Sequence, residues 1–416
     1  MRVYLTFFLL VFMAGALKAE VLEESITLSQ AIKRAVMNNH ELLKKKEEIK
    51  EAQERLREVE GGQYPRLYFQ ADYSRYDSRS PFLSLPYWWQ SIFPEGRGEY
   101  YSARLSLSKD LYSGGSLKKR ERLAKSCIRE KEAEYEVKKN ELAYQVTETF
   151  YSLLLLEKKQ KVGLKFIEDL KNKIKNRSKG DPAILKAELL FMKAEILQEQ
   201  WEDSYNRIRL LFNQLLGAEL NTRFSLNGEF TSQETTIDLS KVLSWAFQHR
   251  PELHRQSEQL IARSQEVSLI RSARMPVISL GATYEYRGKQ FPLEEEDWWG
   301  VLNLRLPLFD GWLSWTREKG AKIRMNQAKI EKARIEDLVQ REVKDAHQLL
   351  VGAQRNLNKR EERLKKMEEL RTKFPDSLEA DEIYLKVAIA YLEGIYEVLI
   401  ARAKLELAVG TPLTGR

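Results

Sequence analysis

One cysteine, Cys127, stands in a chain of 416 residues, so no disulfide and no thiolate metal centre can form within a single copy. The four histidines, His40, His249, His254 and His347, fall in helical stretches without ligand or triad spacing; only His249 and His254 lie near each other, five apart, and both read as helix surface or packing. A phosphate-cradling glycine loop is missing too, so the energy for any transport must come from another protein. No cofactor, metal site or enzymatic activity is expected. The net charge is +8, yet Lys and Glu alternate along helical faces instead of clustering, which describes a solvated surface and not a nucleic-acid footprint. Beyond the N-terminus no charge-free stretch is long enough to span a bilayer as a helix. If the chain enters a membrane, it must do so as strands closed into a barrel.

The N-terminus is an address. Met1-Arg2 precedes the apolar run VYLTFFLLVFMAGAL and then Lys18-Ala19-Glu20, the pattern of a secretory signal peptide over residues 1–19, cleaved near Ala19. No cysteine stands at the cleavage point, so an N-terminal lipid anchor is not indicated.

What the chain does have is nearly the same text twice. Leu28, Glu41, Leu42, Pro65 and Tyr73 recur as Leu239, Glu252, Leu253, Pro276 and Tyr284, each 211 positions later. One gapless offset across helix and strand patterns marks a duplicated structural unit. Leu111-Tyr112-Ser113-Gly114 returns as Leu308-Phe309-Asp310-Gly311 at an offset of 197, so the first copy carries fourteen extra residues between Tyr73 and Leu105. Pro182, Leu185, Ala187 and Gly217 match Pro375, Leu378, Ala380 and Gly410 at 193. The second copy has therefore lost four residues before Pro375, about one helical turn.

Each copy, 20–217 and 239–410, reads helix, strand, loop, strand, long helix, turn, helix, with a connector at 218–238 and a short tail at 411–416. The first helix of each copy is expected over about 29–61 and 240–273. Strands are expected at 64–74, 100–111, 277–286 and 299–308, around outer loops at 75–99 and 287–298. Leu67, Phe69, Ala71 and Tyr73 share one face of the first strand, with Arg66, Gln70 and Asp72 on the other. A soluble sheet on a core alternates in the same way, but the signal peptide and strands of nearly ten residues favour a lipid-facing band with a polar lumen. The segments 116–177 and 313–373 contain no proline and predict helices of roughly 90 Å. Return helices are expected at 182–216 and 376–409. Their apolar stripes, Leu190, Ala194, Leu197, Trp201, Tyr205, Ile208, Phe212 and Leu215 in one, Tyr384, Val387, Tyr391, Ile395 and Val398 in the other, pack in coiled-coil fashion on the long helices.

Four strands cannot close a barrel, and open edges are not tolerated in lipid, so the chain must oligomerise; three copies give about twelve strands. The order of these elements resembles the TolC-like outer membrane efflux proteins. The resemblance rests on the start of each copy, on Leu111-Tyr112-Ser113-Gly114-Gly115 and Pro307-Leu308-Phe309-Asp310-Gly311, and on Leu215-Leu216-Gly217 and Leu405 to Leu413 closing the copies. It implies a mixed α/β membrane protein, a homotrimeric twelve-stranded outer-membrane barrel continuous with an antiparallel coiled-coil tunnel through the periplasm. It also implies the exit duct of a tripartite efflux pump or type I secretion system, with a periplasmic adaptor, an inner membrane transporter and outer membrane lipid as partners. The other reading is a periplasmic coiled-coil adaptor without a pore, which would share the signal peptide and helical hairpins.

Site candidates follow at both ends. The resemblance puts Asp376 and Glu379 at the closed periplasmic entrance, where a trimer would form acidic rings favouring cations. The same two residues also fit a capping box at the helix start. Ala183 and Lys186 hold the matching places in the first copy. Asp181-Pro182 reads as N-cap and first helical residue. Ser178, Lys179, Gly180 and Asp181 in the first turn, and Phe374 and Pro375 in the second, are candidate adaptor-docking tips. At the outer end Phe82, Tyr87, Trp88, Trp89 and Phe93, with Trp298 and Trp299 in the other hairpin, suit an interfacial aromatic girdle, a lid over the barrel mouth, or a partner contact.

Overall fold

The computed structural model describes residues 24–76, 98–175, 182–232 and 237–412. The signal peptide, the body of the first outer loop with Phe82, Tyr87, Trp88, Trp89 and Phe93, and the first turn with Ser178, Lys179, Gly180 and Asp181 lie outside them. The described elements are β1 (Glu24–Ile26), α1 (Leu28–Asn38), α2 (His40–Gly61), β2 (Arg66–Tyr76), β3 (Gly98–Ser113), α3 (Ser116–Lys175), α4 (Pro182–Leu216), β4 (Phe224–Leu226), α5 (Leu239–His249), α6 (Pro251–Ser272), β5 (Val277–Gly288), β6 (Glu295–Arg305), α7 (Leu313–Lys373) and α8 (Leu378–Val409). They divide into two compact units, one of Met1–Lys46, Glu134–Glu252 and Glu336–Arg416, the other of Glu47–Ala133 and Leu253–Ile335.

In the first unit the long helices owe their persistence to the lack of proline. Phe166, Ile167 and Leu170 of α3, Ala187, Leu190 and Ala194 of α4, and Leu378 and Leu385 of α8 form one buried cluster. The stripe on α8 differs from the sequence expectation. Leu378, Asp381, Leu385, Ala388, Ile395 and Val398 are buried, whereas Tyr384, Val387 and Tyr391 are only half-buried. A carboxylate occupies one place in that stripe, and a search for apolar spacing passes over it. The connector is not featureless either: β4 pairs in parallel with β1.

The helix expected over 29–61 is two helices, and so is its copy. Thr27 opens α1 with a capping box, its N–H donating to Gln30 Oε1 at 2.9 Å, and the helix ends at Asn39, whose backbone is extended (φ −65°, ψ 125°). The Asn39 side chain then starts α2, accepting from the N–H groups of Glu41 (3.0 Å) and Leu42 (3.3 Å). Its amide also donates to the Leu215 carbonyl at 3.1 Å. Arg250 does the equivalent work 211 residues later. It precedes Pro251, which disfavours a helical Arg250 and suits the first position of α6, and its guanidinium donates to the Ala408 carbonyl at 3.3 Å. Leu215 and Ala408 are themselves repeat equivalents at 193. The two breaks are thus one device, a side chain at the helix interruption tying down the end of a return helix.

Each return helix ends against the same break. Gly217 adopts φ +62°, and a Cβ there would lie 2.5 Å from the Asn38 carbonyl oxygen; Gly410, at φ +84°, sits likewise against the His249 carbonyl. Only glycine fits a left-handed position this close to backbone.

In the second unit β2, β3, β5 and β6 form one antiparallel sheet in that order. The strands differ by two to four residues from the expected bounds at most ends. β6 starts early, at Glu295, and stops at Arg305, before Pro307, which cannot donate to a ladder.

Gly217→Ala is expected to cost more than Gly311→Ala. Both positions have positive φ, but a Cβ at Gly311 meets nothing within 4 Å. The strain of a left-handed alanine, ~1–2 kcal/mol, applies to both, and the clash only to Gly217, so thermal unfolding should show the larger fall in midpoint for Gly217→Ala.

Candidate functional site at the sheet and the helix end

The sheet is inside out. Along β5, Leu280, Ala282, Tyr284 and Tyr286 are exposed, while between them Ser279, Gly281 and Thr283 are half-buried and Glu285 is buried. Cross-strand rows share this polarity. Phe69, Leu105, Tyr284 and Trp298 form one row, and Leu67, Leu107, Ala282 and Gly300 another. Phe69 is 72% exposed, Leu302 68% and Trp298 79%. A soluble sheet would hide this face. The polar face binds itself together instead: Arg104 donates to Glu285 at 2.8 Å, Ser106 and Thr283 share a hydrogen bond at 3.3 Å, and Arg287 reaches Glu295 (3.1 Å) and Asp297 (2.6 Å). Among the described residues, β2 and β6 end the sheet without strand partners on their outer edges.

Trp298 and Trp299 lie within β6 and not in the outer loop. Adjacent strand residues point to opposite faces, so Trp298 joins the apolar face opposite Tyr284 and Trp299 the polar face opposite Thr283.

Where β6 gives way to α7 the chain turns sharply. Gly311 and Trp312 both have positive φ, and Asp310 accepts from the Ser314 N–H at 2.9 Å, closing the first turn of α7. Phe309 and Trp312 stay exposed and meet edge to face at 6.1 Å. One turn on, Glu318 receives Lys322 (2.9 Å), Arg271 (2.8 Å) and Arg274 (2.5 Å). The hydrogen bond from Lys322, followed by those from the two arginines, lowers the Glu318 carboxyl to about 2.

At the start of α8 the cap is Ser377, whose Oγ accepts from the Ala380 N–H at 3.2 Å. This overturns the capping box of Asp376 with Glu379: Asp376 precedes the cap within the turn, and α8 begins at Leu378. Both acids are exposed. Glu379 pairs with Lys186 of α4, whose hydrogen bond holds its carboxyl below the usual range. Glu379 and Lys186 are equivalent positions of the two copies, so the first copy supplies the counter-charge to the second. Phe374 and Pro375 are exposed in the turn.

The group that ties this end together is one the sequence reading missed. Asp381, 2% exposed, accepts from Lys173 of α3 and from Arg371 Nε of α7 at 2.9 Å. Arg371 also donates to Asp169 of α3 at 2.7 Å and lies over the Tyr384 ring at 4.7 Å. Lys173 donates in addition to the Pro375 carbonyl at 2.6 Å. The sequence signal was available: Asp381 is the one acid in the stripe Leu378, Asp381, Leu385, Ala388, and a buried acid needs a partner.

Among the described residues no group of side chains could hold a metal ion, and no helix is long and apolar enough to cross a membrane. The geometry defines a class: a protein that turns a strand-built apolar surface outward and carries long helical hairpins. Comparison with known proteins finds likenesses to that class. Residues 31–163 match the model described as outer membrane efflux protein. The fold matches crystal structures of CusC, a transmembrane channel, with TM-score 0.78 and 15% identity over 94% of each chain. It also matches the outer membrane protein VceC of Vibrio cholerae, with TM-score 0.76 and 17% identity over 92% of this chain and 96% of that one. The Campylobacter jejuni CmeC outer membrane channel gives TM-score 0.75 and 17% identity over 94% of this chain and 87% of that one. No curated protein sequence matches the chain. The likeness to outer membrane efflux proteins is thus one of sequence over residues 31–163 and one of fold over nearly the whole chain.

Asp381→Asn leaves two cations facing a neutral amide in a buried place. It should destabilise by ~3–5 kcal/mol, while Glu379→Gln, exposed, should leave the unfolding midpoint nearly unchanged; denaturant unfolding compares them. Because Glu318 has a folded pKa below its ordinary value, its contribution is complete above the ordinary carboxylate range and fades as pH falls towards about 2. The stability difference between wild type and Glu318→Gln should shrink over that acid window and be flat from pH 6 to 8.

Proposed function

We propose that this chain is an outer membrane export duct. The observation that carries the reading is the sheet with its apolar face outward and two open edges. Such a sheet is stable in lipid only when its edges are paired, and three copies joined edge to edge make a twelve-stranded barrel with the charged face inside. The matched channels have this fold, and α4 leaves Leu185, Leu189, Met192 and Ile196 exposed along one side, a stripe suited to a neighbouring copy's helices. On this reading the helical hairpins form the periplasmic tunnel. The turns at Ser178–Asp181 and Phe374–Pro375 meet an adaptor protein, which links the duct to an inner membrane transporter of an efflux pump or type I secretion system. Asp376 and Glu379 lie at the entrance, and the Asp381 network holds that end closed. The aromatics Phe82, Tyr87, Trp88, Trp89 and Phe93 belong to the outer mouth. A pore-free adaptor is disfavoured, because it has no use for a sheet with an exposed apolar face.

Purified in detergent and placed in planar bilayers, the protein should be a trimer that conducts ions; a water-soluble monomer would sink the proposal. Neighbouring residues of β6 supply a finer check. Leu302→Arg puts a charge on the lipid face at ~2–4 kcal/mol and should block assembly into membranes, whereas Asn303→Arg, on the opposite face, should assemble normally.

A further inference from the structure

The polar face of the sheet carries two exposed aromatic side chains that its alternation does not require. Tyr68, Ser106, Thr283 and Trp299 form a single row across all four strands. Tyr68 is 53% and Trp299 41% exposed, while the row between them is floored by the two small hydroxyls, hydrogen-bonded to each other at 3.3 Å. Each aromatic thus stands at an edge strand above a low floor. On the next row towards the helices, Ser108 and Gly281 add no bulk, and an open hollow of about 420 Å³ begins there.

The charges flank this row and do not stand in it: on the helix side the exposed Arg66 lines the hollow in the next row, with Val301 at the opposite edge. On the outer side Arg104 is taken up by Glu285, and Arg287 by Glu295 and Asp297. What remains available at the row is flat apolar ring surface beside hydroxyls.

We propose that Trp299 and Tyr68 form an aromatic belt inside the conduit, narrowing it and stacking against the aromatic rings of uncharged solutes in transit. Because β2 and β6 are the two open edges of the sheet, the belt rings stand at the seams where one copy meets the next, Trp299 on one side of each seam and Tyr68 on the other. Trp298, one residue away, faces lipid and takes no part. This inference rests on the export-duct reading, in that the polar face must be a lumen.

The test uses the pair of adjacent tryptophans. In a Cys127→Ser background, Trp299→Cys and Trp298→Cys are reconstituted into proteoliposomes and treated with a charged, membrane-impermeant maleimide before and after detergent. Trp299→Cys should label in the intact membrane and Trp298→Cys only after detergent. Equal protection of both by lipid removes the belt and leaves the duct standing; a Trp298→Cys that labels first, or no lipid protection of either, removes the duct reading as well. In planar bilayers phenyl β-glucoside should block the wild-type current while methyl β-glucoside does not. Trp299→Ala should weaken that block about fivefold, the worth of one ring stack, and Trp298→Ala should leave it unchanged. Equal block in the two alanine variants would overturn the proposal.

Discussion

Backbone hydrogen bonding in the absence of water is the constraint on which the rest depends. Every N–H and C=O of a strand in hydrocarbon needs a partner, and within this chain the inner ladders of β2, β3, β5 and β6 supply it for all but the two outer edges. The apolar face gains nothing from burial in its own chain, since it is the exposed one. On the proposed export-duct reading, further copies in a membrane meet both needs at once. The polar face also follows from it, because groups turned away from lipid are free to carry charge, provided that charge is paired, as Arg104 with Glu285 shows.

Duplication is the economical way to build such a sheet with helices attached. The two copies have solved one joint with different side chains. Asn39 uses a short amide that both caps α2 and reaches Leu215. Arg250 lacks a capping oxygen, relies on Pro251 to start α6, and reaches the equivalent carbonyl of Ala408 with a longer arm, balanced by Glu252 and Glu342. The geometry has been kept while the chemistry has changed, so the glycines that close against these joints, Gly217 and Gly410, are fixed by backbone space and not by the side chain opposite.

Much of this was legible in the sequence, for reasons that can be named. Two-residue alternation revealed the strands and proline-free length the helices, because both are local properties of the chain. The first helix break was hidden, since an asparagine within a helical pattern looks like a surface residue until its partner at Leu215 is known; the second was signalled by Pro251 within the stretch 240–273 and was passed over. Strand parity alone could have separated Trp298 from Trp299, had β6 been started at Glu295. Lys186 against Glu379 could not be seen, for that contact depends on how α4 and α8 come together.

At the helix end, burial decides which charges matter. Asp376 and Glu379 stood out in the sequence as the acids near the start of a return helix, but both are exposed, and an exposed pair such as Lys186–Glu379 contributes little. Asp381 is shut in beneath the same turn, with Lys173 and Arg371 as its partners, and a carboxylate in that position is tolerated only while both cations stay in place. Arg371 in turn binds Asp169, so α3, α7 and α8 share one charge network and none can move away without stranding a buried ion. Long helices joined by apolar stripes alone could slide or splay in small steps. A buried ion with partners on two other helices makes such movement all-or-none, because the first step already strands the ion.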